Sequence, residues 1–207
     1  MTPHAICAFA RGIYDPVPAG MFVNTYEVGC VVFGHANVGG IDVIALRGSA
    51  DLDDWMHDFT AIPQWHPQLG FCHAGFLHDM DEVFAKARTI VGEHVVITGH
   101  SLGGARARIL AGLFAYNKLP FDIVCVFGSP KPGFPNLRRI LEKSGVKHIS
   151  FRNRNDAVPM VPLTILPFLD FVHTEDWYAI SAAPADDNLE PLRDHSMDLY
   201  YKGSPDA

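Results

Sequence analysis

Residues 94–110 read HVVITGHSLGGARARIL, and this stretch decides the fold. A short apolar run, typical of a buried strand, ends at Ser101, and a helix-forming segment follows. Glycines flank the serine at Gly99, Gly103 and Gly104. The pattern G-x-S-x-G between a strand and a helix predicts a sharp turn that lifts the serine hydroxyl out of the carboxyl end of a sheet. Side chains two residues before and after the serine would collide across such a turn, so glycine is expected there.

The turn has two rival interpretations. A phosphate-binding loop is excluded because no Lys-Ser/Thr pair follows the glycines and the spacing G-x-G-x-x-G is absent. A glycine-rich turn without any chemistry stays as the second alternative.

Strands and helices alternate from residue 76 onward, which predicts a three-layer α/β domain with a largely parallel sheet. The expected strands are 94–98, Ile123–Phe127, 146–151 and 176–180, and the expected helices are 76–91, 101–117, 135–143 and 193–201. Earlier strands at 27–33 and Ile41–Leu46 are expected to form an antiparallel hairpin at one edge, joined by the glycine-rich turn GHANVGG. A short helix is predicted at 51–59, followed by the loop IPQWHPQLGF. The 207 residues suit a single domain over 1–207.

Composition and charge exclude several classes of partner. The net charge of −7, with no basic cluster, argues against nucleic acid. The apolar run at 158–172 is too short and too interrupted by prolines to span a bilayer, so an integral membrane protein is not expected. The first 16 residues show no basic segment followed by an apolar one. This predicts a cytoplasmic protein, or one exported by another route.

The four cysteines are scattered and include no C-x-x-C pair, which favours free thiols. Disulfides stay open if the protein is exported. The group His66, Cys72, His73 and His78 matches no zinc-ligand spacing, so neither a metal site nor a cofactor is expected.

A serine nucleophile needs a histidine base and an orienting carboxylate, in the chain order Ser, acid, His for this type of turn. Asp156 follows the predicted strand 146–151 and is the favoured acid, with a turn-capping aspartate as its structural alternative. Asp170 and Asp176 are weaker choices.

Eleven histidines compete for the role of the base. His195 comes after every predicted strand, in the loop LRDHSM before the last helix, and this placement suits a base that reaches over the serine. His173 is the alternative, although a structural role is expected for it. His100 adjoins the serine but is expected to point elsewhere.

The sequence resembles the class 3 (fungal-type) lipase family of the α/β-hydrolase superfamily from about residue 43 to 200. Several separate motifs in the right order carry the resemblance, namely ALRGSADLDDWMHDF, CHAGFL, GHSLGGA, FGSPKPG, NRNDAVP, VHTEDWY and DHSMDLY.

The resemblance implies a role for each matched residue. Ser101 would be the nucleophile, His195 the base and Asp156 the orienting acid. Backbone N–H groups of Ser49 and Leu102 would form the oxyanion hole, and the hydroxyl of Ser49 could help.

A mobile lid is implied at 50–63, where Trp55, Met56 and Phe59 fall on one apolar helical face and aspartates take the other. An ordinary surface helix is the alternative.

Because the region before residue 26 is short, the helices that brace many family members are expected to be missing. Arg106 and Arg108 stand where small or neutral residues are expected.

The expected function is therefore a serine carboxylic ester hydrolase, a lipase or esterase acting on acylglycerols or other acyl esters, at a lipid–water interface or in solution. A phospholipase or a feruloyl-type esterase is the alternative within the same chemistry. A catalytically silent α/β-hydrolase that serves as a binding module is the alternative from another class. The oligomeric state is left open.

Overall fold

The structure, a computed structural model, describes residues 1–15, 20–49, 60–163, 169–182 and 193–206. Residues 50–59 of the predicted lid fall outside these ranges, including Trp55, Met56, Phe59 and the whole of the helix predicted at 51–59.

A seven-stranded sheet forms the centre of the fold, in the order β1-β2-β3-β6-β7-β8-β9. The first three strands pair antiparallel, and the pairs from β3 to β9 are parallel. Two further strands, β4 and β5, form a separate antiparallel hairpin. The strands are β1 (Asn24–Val28), β2 (Val31–Val38), β3 (Ile41–Leu46), β4 (Pro63–His66), β5 (Gly70–His73), β6 (Val95–His100), β7 (Ile123–Phe127), β8 (Lys147–Asn153) and β9 (Trp177–Ile180).

Helices cover the two faces of the sheet. They are α1 (Pro3–Gly12), α2 (Ala74–Leu77), α3 (Met80–Ala87), α4 (Leu102–Tyr116), α5 (Pro135–Ser144) and α6 (Met197–Gly203), with a 3-10 turn at Val158–Met160. Helix α4 contacts α2, α3 and α5, whereas α1 contacts α6. Because side chains alternate along a strand, neighbouring residues enter two different cores. Ile44 and Ile97 lie in the α4 core, and Val43 and Val96 lie in the α1 core.

This arrangement confirms the predicted α/β fold with antiparallel strands at one edge. The predicted strands at 94–98 and 146–151 form, with ends that differ by a few residues. Helix α4 is buried almost all round, because it packs on the sheet and under three neighbouring helices. Gly145, with φ 70°, ends α5 in the left-handed conformation that glycine adopts at low cost.

The amino-terminal hairpin was predicted wrongly in detail. The expected strand 27–33 contains a turn at Gly29 and Cys30, so two strands form there and three strands are antiparallel rather than two. The expected turn GHANVGG narrows to Gly39 and Gly40, because β2 keeps its pairing with β3 up to Val38.

Three other expectations are corrected. The helix predicted at 76–91 is interrupted at His78 and Asp79, and the segment IPQWHPQLGF contains the β4–β5 hairpin instead of a loop. A bracing helix was expected to be missing, yet α1 begins at a Thr2 cap whose hydroxyl accepts the N–H of Ala5 at 3.2 Å.

The four cysteines are free thiols in the structure; three are buried and Cys30 is exposed. Among the described residues, no helix combines the length and apolar character needed to cross a bilayer.

Candidate active site

Ser101 lies on a strained turn between β6 and α4. Its backbone has φ 57° and ψ −130°, outside the regions that residues with a side chain prefer. The Ser101 N–H donates to the carbonyl oxygen of Phe127 at 3.0 Å, which fixes the turn to the end of β7. Ser101 as a whole is 2% exposed.

The flanking glycines are required by close backbone packing, as the sequence predicted. A Cβ at Gly99 would lie 2.4 Å from the backbone of Gly103, and a Cβ at Gly103 would lie 2.1 Å from the carbonyl oxygen of Leu46. At Gly104 a Cβ would lie 2.7 Å from the Cβ of Ser129. Any larger residue would force the turn open, so the strained serine depends on all three glycines.

Asp156 and His195 form a buried pair beside this turn. Nδ1 of His195 lies 2.7 Å from Oδ2 of Asp156, and the two residues are 2% and 0% exposed. Because a carboxylate accepts, Nδ1 carries the proton and Nε2 of the neutral ring is an acceptor. The second oxygen, Oδ1, accepts the N–H of Val158 at 2.9 Å. Both carboxylate oxygens are therefore held, and the imidazole is fixed in one tautomer.

Tyr200 on α6 adds a third hydrogen bond to the acid. Its hydroxyl donates to Oδ2 of Asp156 at 2.5 Å and accepts the N–H of Asn153 at 2.9 Å. Burial and the neighbouring carboxylate raise the pKa of Tyr200 well above its usual value, so the phenol keeps its proton. The Asn153 side chain donates to the carbonyl oxygen of Asp194 at 2.9 Å, which ties the histidine loop to the end of β8.

His100, next to the serine, supports His195 instead of pointing away. The two rings lie 4.4 Å apart, and Nε2 of His100 donates to the carbonyl oxygen of His195 at 2.8 Å. Nδ1 therefore accepts from the Tyr14 hydroxyl at 3.1 Å. Burial, followed by the nearby His195, lowers the pKa of His100 well below its usual value. A neutral His100 thus fixes the backbone that carries His195.

Ser101 and His195 line one cavity of about 180 Å³, together with five neighbours, Tyr14, Ser49, His100, Ser196 and Met197. Among the described residues, neither Oγ of Ser101 nor Nε2 of His195 has a hydrogen-bond partner, although both atoms are buried. One is a donor and the other an acceptor, so they are complementary. No hydrogen bond joins them here, and such catalytic bonds often tighten only when substrate binds.

The two residues predicted to supply oxyanion donors lie next to the serine. Leu102 opens α4, where the first N–H groups have no acceptor within the helix. Ser49 lines the cavity, and a Cβ on the preceding Gly48 would lie 3.3 Å from the Cβ of Ser101. The residue pair 48–49 therefore lies against the serine turn.

The weaker candidates for acid and base lie elsewhere. Asp170 and Asp176 are exposed. His173 donates from Nε2 to the carbonyl oxygen of Pro159 at 2.7 Å and accepts from Arg108 at 3.3 Å. Burial and the Arg108 guanidinium lower the pKa of His173 to about 3, so its role is structural.

Arg108 explains one departure from the expected family pattern. The guanidinium is fully buried and forms an ion pair with Glu175. It also donates to the hydroxyls of Ser129 at 3.1 Å and Ser150 at 2.7 Å. These contacts bind α4 to the loop after β7, to the middle of β8 and to the segment before β9, so Arg108 ties the nucleophile helix to the strands that carry the site.

Sequence reasoning missed Gly128, Tyr200 and the supporting role of His100. Gly128 has φ +55°, and a Cβ there would lie 2.9 Å from Oδ2 of Asp156 and 2.9 Å from Nδ1 of His195. A glycine directly after a buried strand was the available signal for Gly128. No local pattern pointed to Tyr200, because its partner Asp156 lies 44 residues away.

A family model described as Lipase (class 3) matches residues 43–165. The chain belongs to the class 3 lipase family. Two curated relatives of this lipase-family chain show how far the likeness extends. A secreted mono- and diacylglycerol lipase 1 of Fusarium solani is 29% identical over 157 residues, covering 70% of this chain and 45% of the relative. A lipase of Rhizomucor miehei is 30% identical over 141 residues, covering 61% of this chain and 39% of the relative.

The fold of the lipase-family chain agrees with a solved relative. The structure of Rhizomucor miehei triacylglyceride lipase matches it with a TM-score of 0.70 at 22% identity, covering 86% of this chain and 78% of that chain. The predicted family and fold are thereby confirmed. The chain spans less than half the length of the two curated relatives described above.

Proposed function

We propose that this chain is a serine carboxylic ester hydrolase, a lipase or esterase that acts on acylglycerols or other acyl esters. One observation carries the proposal: the oriented Asp156–His195 pair presents an unpartnered Nε2 to the cavity that holds the unpartnered Oγ of Ser101. A nucleophile, a base with a fixed tautomer and an orienting acid are the parts that acyl transfer needs.

In the proposed reaction, Ser101 Oγ attacks the ester carbonyl carbon while its proton passes to Nε2 of His195. Asp156 stabilises the imidazolium that forms. The tetrahedral intermediate collapses, the C–O bond to the alcohol breaks, and the alcohol leaves with the proton from Nε2. Water then attacks the acyl-enzyme with His195 again as base, which releases the acid and restores Ser101.

The negative charge of the tetrahedral oxygen is stabilised by the backbone N–H groups of Ser49 and Leu102. Removing one donor from such a site typically lowers kcat about a hundred- to a thousandfold. The positive end of the α4 dipole acts in the same direction, because the helix begins directly after the nucleophile.

Acylglycerols are proposed as the substrate class because a curated relative is named for mono- and diacylglycerols. An exposed apolar patch supports action at a lipid–water interface. This patch is formed by Ile62 at the end of the predicted lid and by Trp65 and Phe71 just after it, which are 54%, 61% and 41% exposed. The rings of Trp65 and Phe71 pack edge to face at 5.2 Å on the β4–β5 hairpin. Amphipathic aromatic rings favour membrane interfaces.

Labelling with a fluorophosphonate, which reacts with activated serines, tests the catalytic part of the proposal. The wild-type chain is expected to be labelled, and Ser101→Ala and His195→Asn are expected to lose labelling. Ser144→Ala, at the far end of α5, is the control and should be labelled like the wild type.

The absence of a Ser101–His195 hydrogen bond among the described contacts favours one rival, a silent binding module that keeps the turn but not the reaction. A folded wild-type chain that resists the probe and cleaves no ester in a chain-length series would establish that rival.

Hydrolysis of an emulsified long-chain ester tests the role of the apolar patch. Trp65→Ala should lower the rate on the emulsion and leave the rate on a dissolved short-chain ester unchanged. Tyr178→Ala removes an aromatic ring that is 62% exposed on β9, so it serves as the matched control. Equal losses on both substrates, or equal losses in both variants, would count against an interfacial patch.

A further inference from the structure

Three different metal-ligating side chains converge at one corner of the sheet. Nδ1 of His78 lies 3.8 Å from Sγ of Cys30 and 3.0 Å from Oδ2 of Asp79. The three ligand atoms all lie within 4.8 Å of one another. Cys30 stands in the turn between β1 and β2, whereas His78 and Asp79 separate α2 from α3. The cluster therefore joins two parts of the chain that are distant in sequence.

The backbone holds this cluster in place. Asp79 has φ 62°, a left-handed conformation that is costly for a residue with a side chain. Its Oδ2 accepts the N–H of Cys30 at 2.7 Å. A Cβ on Gly29, itself at φ +56°, would lie 2.0 Å from that same Oδ2, so glycine is required for the carboxylate to approach.

The same imidazole nitrogen faces both the thiol and the carboxylate. A catalytic triad uses the two ring nitrogens separately, one for the nucleophile and one for the acid, so this cluster is not a second hydrolase site. Convergence of sulfur, nitrogen and oxygen on one point is instead the arrangement in which side chains bind a metal ion.

The set of donors selects the ion. Calcium and magnesium prefer oxygen ligands only, whereas zinc accepts thiolate, imidazole and carboxylate together. Zinc bonds of about 2.0 to 2.3 Å in a tetrahedron place neighbouring ligand atoms about 3.3 to 3.6 Å apart. The observed separations of 3.0 and 3.8 Å bracket that range. Small side-chain movements would therefore complete three corners of a tetrahedron.

Arg106 on α4 provides an outer contact to the cluster. Its guanidinium donates to Sγ of Cys30 at 3.2 Å, and the side chain is buried. The thiolate is the form of cysteine that binds a metal. The positive charge of Arg106 opposes the ion, but a metal-bound Cys30 thiolate and the Asp79 carboxylate supply two negative charges against it. Hydrogen bonds to ligands of this kind orient metal sites.

We propose that Cys30, His78 and Asp79 form a zinc site with one open coordination position, separate from the proposed hydrolase centre. The sequence predicted no metal site, because Cys30 and His78 are 48 residues apart and only the fold brings them together. A bound ion cross-links the β1–β2 turn to the start of α3, so zinc is expected to raise the thermal stability of the chain.

Titration of the full chain with Co²⁺ tests the site, because a thiolate ligand gives Co²⁺ a charge-transfer absorption band. The band should appear with one ion per chain and disappear when Zn²⁺ is added. Cys30→Ser should abolish the band, and His78→Asn should weaken Zn²⁺ binding at least about tenfold, because losing only a hydrogen-bond partner of a ligand typically costs that much. Both side chains are exposed, so both variants are expected to fold.

His94→Asn is the matched control, because His94 forms an exposed pair with Asp122 at 3.2 Å that includes no cysteine. It should bind Co²⁺ and Zn²⁺ like the wild type. The proposal is overturned if the folded wild type gives no thiolate band. A band that persists in Cys30→Ser, one ion shared by two chains, or a Zn²⁺-induced rise in Tm that survives in Cys30→Ser would overturn it equally.

Discussion

Gly128 lies against both members of the Asp156–His195 pair, so adding a single methyl group there tests the proposed site. In Gly128→Ala the new Cβ would start 2.9 Å from Oδ2 of Asp156 and from Nδ1 of His195. Ordinary van der Waals contact begins at 3.4 Å, so the pair must retreat by about 0.5 Å from the carbon. Hydrogen bonds from Val158 and Tyr200 also hold the carboxylate, which leaves the imidazole as the group that moves.

The expected loss of activity follows from that displacement. A misplacement of about 1 Å can cost a hundredfold in rate, so about 0.5 Å should lower kcat/KM roughly ten- to a hundredfold. The backbone adds a separate effect, because alanine at φ +55° costs about 1 to 2 kcal/mol relative to glycine. The free energy of unfolding is therefore expected to fall by about 2 to 3 kcal/mol, once some strain in the surrounding side chains is included.

Steady-state hydrolysis of a dissolved short-chain ester and urea unfolding measure the two effects separately. Gly145→Ala is the control, because Gly145 has φ +70° and a Cβ there would meet nothing within 4 Å. It should carry the backbone cost and keep full activity. If Gly128→Ala hydrolyses the ester like the wild type, or if Gly145→Ala loses as much activity, the argument that Gly128 positions the imidazole is refuted.

Three further predictions concern groups around the site. Tyr200→Phe removes a hydrogen bond to a charged group and should lower kcat about tenfold with KM unchanged, as steady-state kinetics would show. Arg108→Met leaves the largely buried Glu175 without its ion-pair partner, so urea unfolding should show a loss of about 3 to 5 kcal/mol, against less than about 1 kcal/mol for Arg138→Met at an exposed pair. The pKa of His173 is lowered from 6.5 to about 3 in the fold. Between about pH 3 and pH 6.5 the imidazole is therefore neutral in the folded protein and charged in the unfolded chain. The free energy of unfolding should thus fall as pH drops below about 6.5, by up to about 1.4 kcal/mol per pH unit, and less steeply in His173→Gln.

The sequence predicted the parts of the fold that depend on local patterns. The apolar run before Ser101 and the spacing of its glycines are sufficient to place a strand, a strained turn and a helix, because each feature acts over a few residues. The carboxyl ends of parallel strands meet at one edge of a sheet, and this rule predicts that Asp156 lies near the serine.

The failures have a different physical origin. The apolar stretch at 27–33 was predicted as one strand, but the turn at Gly29 and Cys30 divides it into two. The stretch at 76–91 has the periodicity of one helix, but the left-handed Asp79 divides it into two helices. A single hydrogen bond joins the two interruptions: the Asp79 carboxylate accepts the N–H of Cys30, which lies 49 residues away. A contact of that range leaves no trace in a local window, so local propensity could not have found it.

The difference between local patterns and contacts of distant residues also explains which part of the candidate site could not be predicted from the sequence. Tyr200 and Asn153 connect the aspartate to α6 and to the histidine loop, and His100 fixes the backbone of His195. These bonds hold the acid and the base to each other without involving the Ser101 hydroxyl. The serine is instead positioned by backbone strain and glycine packing. A Ser101→Ala variant should therefore keep the Asp156–His195 geometry, since none of the contacts that hold the acid and the base uses the Ser101 side chain.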